Sequence, residues 1–319
     1  MPITVVGSIA FDSVRTPFGE RERMLGGAAV HFALAASFFD DVHVVGPVGE
    51  DFGEDELAVM RRRSIDVSDV ERIPGGRTFF WRGEYGWDLN SRETLDTQLG
   101  VFEGFQPKLS ERSRASDVLF LANIQPDLQR DVRGQLPHAQ FVALDSMNLW
   151  IDIARDSLVA AIENVDCVIL NDAELRQLTG KPNLLSAARE VLSWSPSAGE
   201  TRGPSVIVAK QGEYGAALIT EQGFFALPAY PLESVIDPTG AGDTFAGGLV
   251  GYIAAHPGQE LSEELLRRAM AHATVLASFN VEEFGTERIA RLTGQEIVAR
   301  LHELQAMTQF TGAPLALRG

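Results

Sequence analysis

Short apolar runs alternate with amphipathic stretches along almost the whole chain, and this alternation limits the fold more than any other feature. Residues 3–9, 42–46, 118–122, 141–144, 167–170 and 206–209 are rich in apolar and β-branched residues and bounded by turn formers, as buried strands are. Helical spacing fills the gaps near 27–38, 50–63, 126–133, 150–163, 171–179 and 184–194, and then 242–255, 263–280 and 295–307. In 263–280, Leu265, Leu266, Ala269, Met270, Ala273, Leu276 and Ala277 share one face. Strands that are apolar on both faces and separated by helices predict an α/β fold: a mostly parallel sheet between two helical layers, a doubly wound αβα sandwich.

Residues 74–105 break the rhythm. Pro-Gly-Gly is followed by Arg77-Thr-Phe-Phe-Trp-Arg-Gly-Glu-Tyr and Thr94-Leu-Asp-Thr-Gln-Leu-Gly-Val-Phe, strand-like pieces with no helix between them. They predict antiparallel strands outside the main sheet which, with residues 10–18, make a small β lid. Alternation puts Phe79 and Trp81 on one lid face and Phe80 on the other; such rings suit either a ligand's flat face or packing against the main body. The length of 319 residues fits two domains or one large domain with an insertion. No linker interrupts the pattern, so 1–310 reads as one domain carrying the lid, and 311–319 as a tail.

Charge excludes several partners. A net charge of −17 and a sequence pI near 4.8 argue against nucleic acid and against an anionic membrane surface. The longest uncharged apolar-rich run, 26–39, has fourteen residues, too few to span a bilayer. The single cysteine, Cys167, lies in a predicted strand and has no internal partner, and the N-terminus lacks the basic region of a signal peptide. A cytoplasmic protein is the expectation.

The chemistry concentrates in Asp237-Pro-Thr-Gly-Ala-Gly-Asp243, followed by Thr-Phe-Ala-Gly-Gly. Gly240 and Gly242 stand at the start of a predicted helix, where unpaired N–H groups and the helix dipole make an anion site. Asp243 falls in the first turn, beside those groups. A carboxylate there can take the proton of a hydroxyl while the N–H groups steady a transferring phosphoryl; with an ordinary pKa of ~4 it is a weak base for an alcohol, so proton transfer comes late. The same residues also make an ordinary capped helix start. A Rossmann spacing would need glycine where Phe245 stands, and G-x-x-x-x-G-K-[ST] is absent.

The stretch resembles the C-terminal signature of the PfkB family, the ribokinase-like kinases of sugars and nucleosides. The resemblance runs from about residue 3 to residue 290. It implies a ribokinase-like fold and phosphoryl transfer from ATP, with Mg²⁺, to a hydroxyl of a small sugar or nucleoside. Asp243 would be the base, and Gly240, Ala241 and Gly242 the anion hole for the γ-phosphate. Asp12, in Gly7-Ser-Ile-Ala-Phe-Asp12, matches the family's substrate-holding aspartate, and Gly26-Gly27 its N-terminal Gly-Gly, where backbone approaches the substrate. Asn171-Asp-Ala-Glu174 resembles the family's N-x-x-E, which orders Mg²⁺ and the nucleotide phosphates; the same four residues also spell a helix capping box. Asp237 and Glu174 are the expected metal carboxylates. Lys210 and Gly212 stand where the family turns near the nucleotide, and Asn280 in the region bordering the adenine and a monovalent cation such as K⁺. One position departs: the family usually has Asn four residues after the second glycine, and this chain has His31. A homodimer formed through the lid is also expected. The alternatives of other classes are a kinase of heteroaromatic vitamin precursors on the same fold and a ligand sensor without catalysis.

Overall fold

The computed structural model describes residues 1–194 and 203–309; the predicted tail at 311–319 lies outside them. The strands are β1 (Ile3–Val6), β2 (Ala10–Thr16), β3 (Gly19–Gly26), β4 (Val42–Val48), β5 (Asp66–Arg72), β6 (Phe79–Tyr85), β7 (Arg92–Gln98), β8 (Val118–Leu121), β9 (Phe141–Asp145), β10 (Cys167–Asn171), β11 (Val206–Lys210), β12 (Ala216–Ile219) and β13 (Phe224–Leu227). Among the described residues, nine of them form one sheet in the order β13-β12-β11-β10-β9-β8-β1-β4-β5. Its pairs are parallel except for β11–β12 and β12–β13 at one end.

The apolar runs are buried on both faces. In β8, Val118 and Phe120 enter one core while Leu119 and Leu121 enter the other; β10 divides Cys167 and Ile169 from Val168 and Leu170 in the same way. Helices Ala28–Ala36, Ala241–Ala254 and Glu263–Asn280 cover the first face. Helices Pro126–Gln135, Arg155–Ile162, Asp172–Thr179 and Leu184–Leu192 cover the second. No helix among the described residues is long and apolar enough to cross a membrane.

A second sheet of four strands, β3-β2-β6-β7, forms the lid. The antiparallel pair expected within 74–105 is β6–β7; the structure adds a parallel central pair and an unforeseen strand, and it divides one expected helix. The central lid pair β2–β6 is parallel, and only the outer pairs β2–β3 and β6–β7 are antiparallel. Strand β3 was not foreseen, because Glu20-Arg21-Glu22-Arg23 faces water and lacks an apolar alternation. The helix expected over 150–163 is two, Asn148–Ile153 and Arg155–Ile162, broken where Ala154 leaves helical geometry (φ −143°, ψ 34°). The lid rings pack inward: Phe79 stacks on Phe102 at 5.5 Å, Phe80 lies against the main core, and Trp81 packs with Val14, Tyr85 and Phe284.

The small residues after Asp243 have a packing cause. A Cβ on Gly247 would stand 2.3 Å from the carbonyl oxygen of Phe32, and one on Gly248 would stand 2.8 Å from Cα of Ala273. Helix Ala241–Ala254 therefore touches both neighbouring helices backbone to backbone. Overpacking costs about 1–3 kcal/mol, so Gly247→Ala should lower the unfolding free energy measured in urea by that amount, with a lower midpoint, and Gly247→Val by more. An unchanged midpoint in both would contradict this close contact.

Candidate active site

Parallel pairing aligns the carboxyl ends of β9, β10 and β11. Ile169 pairs with Asp145 and Asn171 with Lys210, so Asp145, Asn171 and Lys210 stand on one edge of the sheet. Ligand sites of doubly wound sheets lie at this edge. Lys210 Nζ donates to Asp145 Oδ2 at 2.7 Å in a pair only 18% and 6% exposed. Asn171 caps the helix Asp172–Thr179: its Oδ1 accepts from Glu174 N at 2.7 Å, and Glu174 Oε2 accepts from Asn171 N at 2.8 Å. The capping box is real, and it fixes Glu174 at the strand's end.

The 237–243 turn descends onto the same edge. Buried Asp237 accepts from Thr239 N and Gly285 N, both at 2.9 Å, one on each oxygen. Ala241 N donates to the carbonyl of Pro238 at 3.2 Å, whereas the N–H groups of Gly240 and Gly242 have no acceptor among the described residues. Gly240 is left-handed (φ 74°) and caps the helix Ala241–Ala254, with Asp243 in its first turn. A Cβ on Gly242 would sit 3.1 Å from Lys210 Nζ, so the lysine lies against the turn. From the lid, Tyr85 OH accepts from Thr239 Oγ1 at 3.2 Å.

Both glycines of the N-terminal pair are required by contact. A Cβ on Gly26 would fall 2.0 Å from Asp12 Oδ2; Gly27 (φ 96°) has Ser8 O 2.4 Å from its Cβ position. Gly26 ends lid strand β3 and Gly27 caps the helix Ala28–Ala36, so the pair joins lid to core.

A model of the pfkB family carbohydrate kinases matches residues 108–291. The chain belongs to the pfkB family. It is similar to a cytidine kinase of Thermococcus kodakarensis, 29% identical over 84% of this chain and 95% of that protein. A fructokinase of Klebsiella pneumoniae is 30% identical over 80% of this chain and 85% of its own length. The nucleoside kinase of Methanocaldococcus jannaschii, an archaeal member of the ribokinase family, superposes with a TM-score of 0.74 at 18% identity, over 95% of this chain and 98% of that one. The fold is ribokinase-like, and the protein is a phosphotransferase of the pfkB type with an alcohol group as acceptor.

Electrostatically this pfkB site is crowded with acid. Burial, then the charge of Asp145, pushes Asp243 up to about 7 against the pull of Lys210. Some of its surface still reaches the cleft, but protein groups surround it. Burial raises Glu174 to about 7, with Lys210 opposing and Asp145 adding to it. Asp12 reaches about 7 through burial and Asp237, while the Gly27 N–H draws it down. Burial alone would discharge Lys210, but Asp145 and Glu174 outweigh it and hold the ammonium charged. Arg92, opposite Tyr85 on β7, is the lid cation whose charge reaches Asp12, Glu174 and Asp243.

The expected residues thus converge, with two in different settings. Asn280 is wholly buried, its amide turned under the 237–243 turn instead of toward an open nucleotide pocket. Asp237 commits both oxygens to backbone N–H groups, so its visible work is to shape the turn. Gly212 (φ 56°) is exposed, with the lid-tip Asn90 Oδ1 3.3 Å from its Cβ position. Asp145 and Arg92 were missed, and Tyr85, expected only as one of the lid's rings, meets the turn through its hydroxyl. Asp145 carried the signal that marked Asp12, an acid at a strand's carboxyl end; Arg92 carried none.

A carboxyl whose folded pKa lies above its unfolded value supports the fold fully below the unfolded pKa of ~4, and that support fades as pH rises through the folded value. The ligand-free protein should therefore lose thermal stability between pH 5 and 8. Asp243→Asn should raise Tm at pH 8 by roughly 2–6 °C, with the gain shrinking toward pH 5. A pH-independent difference would contradict the raised carboxyl.

Proposed function

We propose that this chain transfers the γ-phosphoryl group of ATP to a hydroxyl of a small sugar or nucleoside, with Asp243 as base and the 240–242 turn as anion hole. The observation that carries the reading is the juxtaposition of Asp243 with unpaired N–H groups of a left-handed glycine turn and with the Lys210–Asp145 pair. The N–H groups and the helix dipole would meet the transferring phosphoryl, with Lys210 adding a fixed positive charge. Asp12, against Gly26 and Gly27, would hold the acceptor so that its hydroxyl faces Asp243. Lid residues Tyr85 and Arg92 would close the cleft above it and exclude water.

Family members use ATP with a divalent cation, and the donor set suits Mg²⁺ held through water. Among the described residues, no group of three or more His, Cys, Asp or Glu could hold an ion directly. Glu174 spends one oxygen on Asn171 N and keeps the other available. Mg²⁺ characteristically retains several waters and takes few carboxylates; bound there, it would relieve the repulsion among Glu174, Asp145 and Asp243.

A purified-protein assay of ADP release should show turnover with at least one of cytidine, adenosine, ribose and fructose; similarity to a cytidine kinase over 84% of the chain puts nucleosides first. Asp243→Asn should cut kcat by at least about 100-fold, the scale of a general base, with ATP affinity nearly unchanged. Near-normal turnover in that variant would overturn the assignment. Because the base must be ionised, kcat/KM should climb with pH through about 7.

A further inference from the structure

We propose that His31 is the positioning residue of the anion-hole turn, propping Gly240 from below and, through Asn280, tying the turn to the catalytic helix. The proposal rests on the kinase reading above and assigns a role to the residue by which this chain departs from the family pattern. Gly240 has no room for a side chain because the His31 ring fills that space: a Cβ would stand 2.3 Å from both Cε1 and Nδ1. The imidazole is 1% exposed, so it contacts the turn from the protein interior and not from the cleft.

Hydrogen bonding fixes the orientation of the ring. Asn280 Nδ2 donates to the carbonyl of Thr239 at 2.8 Å, which sets the amide. Its Oδ1 then accepts from Thr244 Oγ1 at 3.0 Å and faces His31 Nδ1 at 3.0 Å. Since Oδ1 can only accept, the proton is on Nδ1, and Nε2 is a bare acceptor, buried without a partner among the described residues. Burial also takes the ring's pKa down to about 4, so it stays neutral through the assay range. A position that merely filled space would not retain an unsatisfied polar nitrogen. Two residues of the turn, Thr239 and Gly240, and one of the catalytic helix, Thr244, thus meet a single His31–Asn280 unit. His31 also rides on the helix capped by Gly27, so one rigid element carries the acceptor contact and the prop of the phosphoryl turn.

The test compares His31→Leu, which keeps bulk and removes the donor, with His31→Asn, which returns an N–H donor near the Nδ1 position. With ATP and the panel acceptor of highest kcat/KM, His31→Leu should lower kcat about 10-fold or more, leaving acceptor KM within about twofold. His31→Asn should recover most of that loss. Unchanged kcat in the Leu variant, or a loss confined to acceptor KM, would overturn the proposal; the latter would make His31 a wall of the acceptor pocket. A second measurement needs neither turnover nor a variant that folds well. In ¹H–¹⁵N spectra of ¹⁵N-histidine-labelled wild-type protein, His31 should be the Nδ1–H tautomer from pH 6 to 8 and should shift on adding AMP-PNP with Mg²⁺. An Nε2–H tautomer would overturn the proposal. Retained turnover in Asp243→Asn would remove the base assignment alone and leave these His31 outcomes standing.

Discussion

Everything at the site depends on how closely the helix Ala241–Ala254 can lie against the helix Ala28–Ala36. Gly247 removes the side chain that would strike the Phe32 carbonyl, and Gly251 does the same where Cα of Ala36 would be 3.1 Å away. At the N-terminal end of the same interface Gly240 admits the His31 ring. Two glycines one turn apart on the helix thus bring two backbones together, the capping Gly240 seats the histidine ring, and the turn that heads the helix has one place to go. Backbone contact of this kind is stiff, because interiors are close-packed and yield little.

That stiffness works against a charge distribution the fold would not otherwise choose. Asp12, Glu174 and Asp243 are all held well above the ordinary carboxylate range, chiefly by burial, and Asp145 adds its charge beside them. The fixed positive charges facing this cluster are Lys210, seated at the sheet edge, and Arg92, borne by the lid. A site built this way costs stability in the empty protein and, on the reading proposed, recovers it when cations and substrates arrive. Perturbed carboxyls gathered in one cleft are a familiar mark of catalytic sites. The lid takes part in the same balance: Tyr85 touches the turn at Thr239, and Asn90 Nδ2 donates to Glu213 Oε1 at 3.0 Å across to the 212–214 turn.

Much of this was legible before any coordinates. The apolar runs ending near 122, 144, 170 and 209 are the strands β8 to β11 to within a residue or so, because four or five apolar, β-branched residues between turn formers are too few for a buried helix. Asp12, Gly26-Gly27, Asn171–Glu174 and 237–243 were found because each sits in a local motif. Two of the strands that were missed share a physical reason. Strands β3 and β5 are charged, lie at sheet edges and take their conformation from a neighbour rather than from their own pattern. The parallel pairing of β2 with β6 joins segments nearly seventy residues apart, which no local signal encodes.

The sequence by itself determined the αβα layering, the presence of a lid, the glycine turn with Asp243, and the family. These follow from periodicity and from contiguous motifs, which local sterics and burial impose one segment at a time. Only the tertiary structure decided that His31 lies under Gly240, that Asn280 faces inward, that Asp145 pairs with Lys210 and that Arg92 projects its charge into the cleft. Each is a contact or field between residues more than thirty positions apart in the chain, and such distances are set by packing.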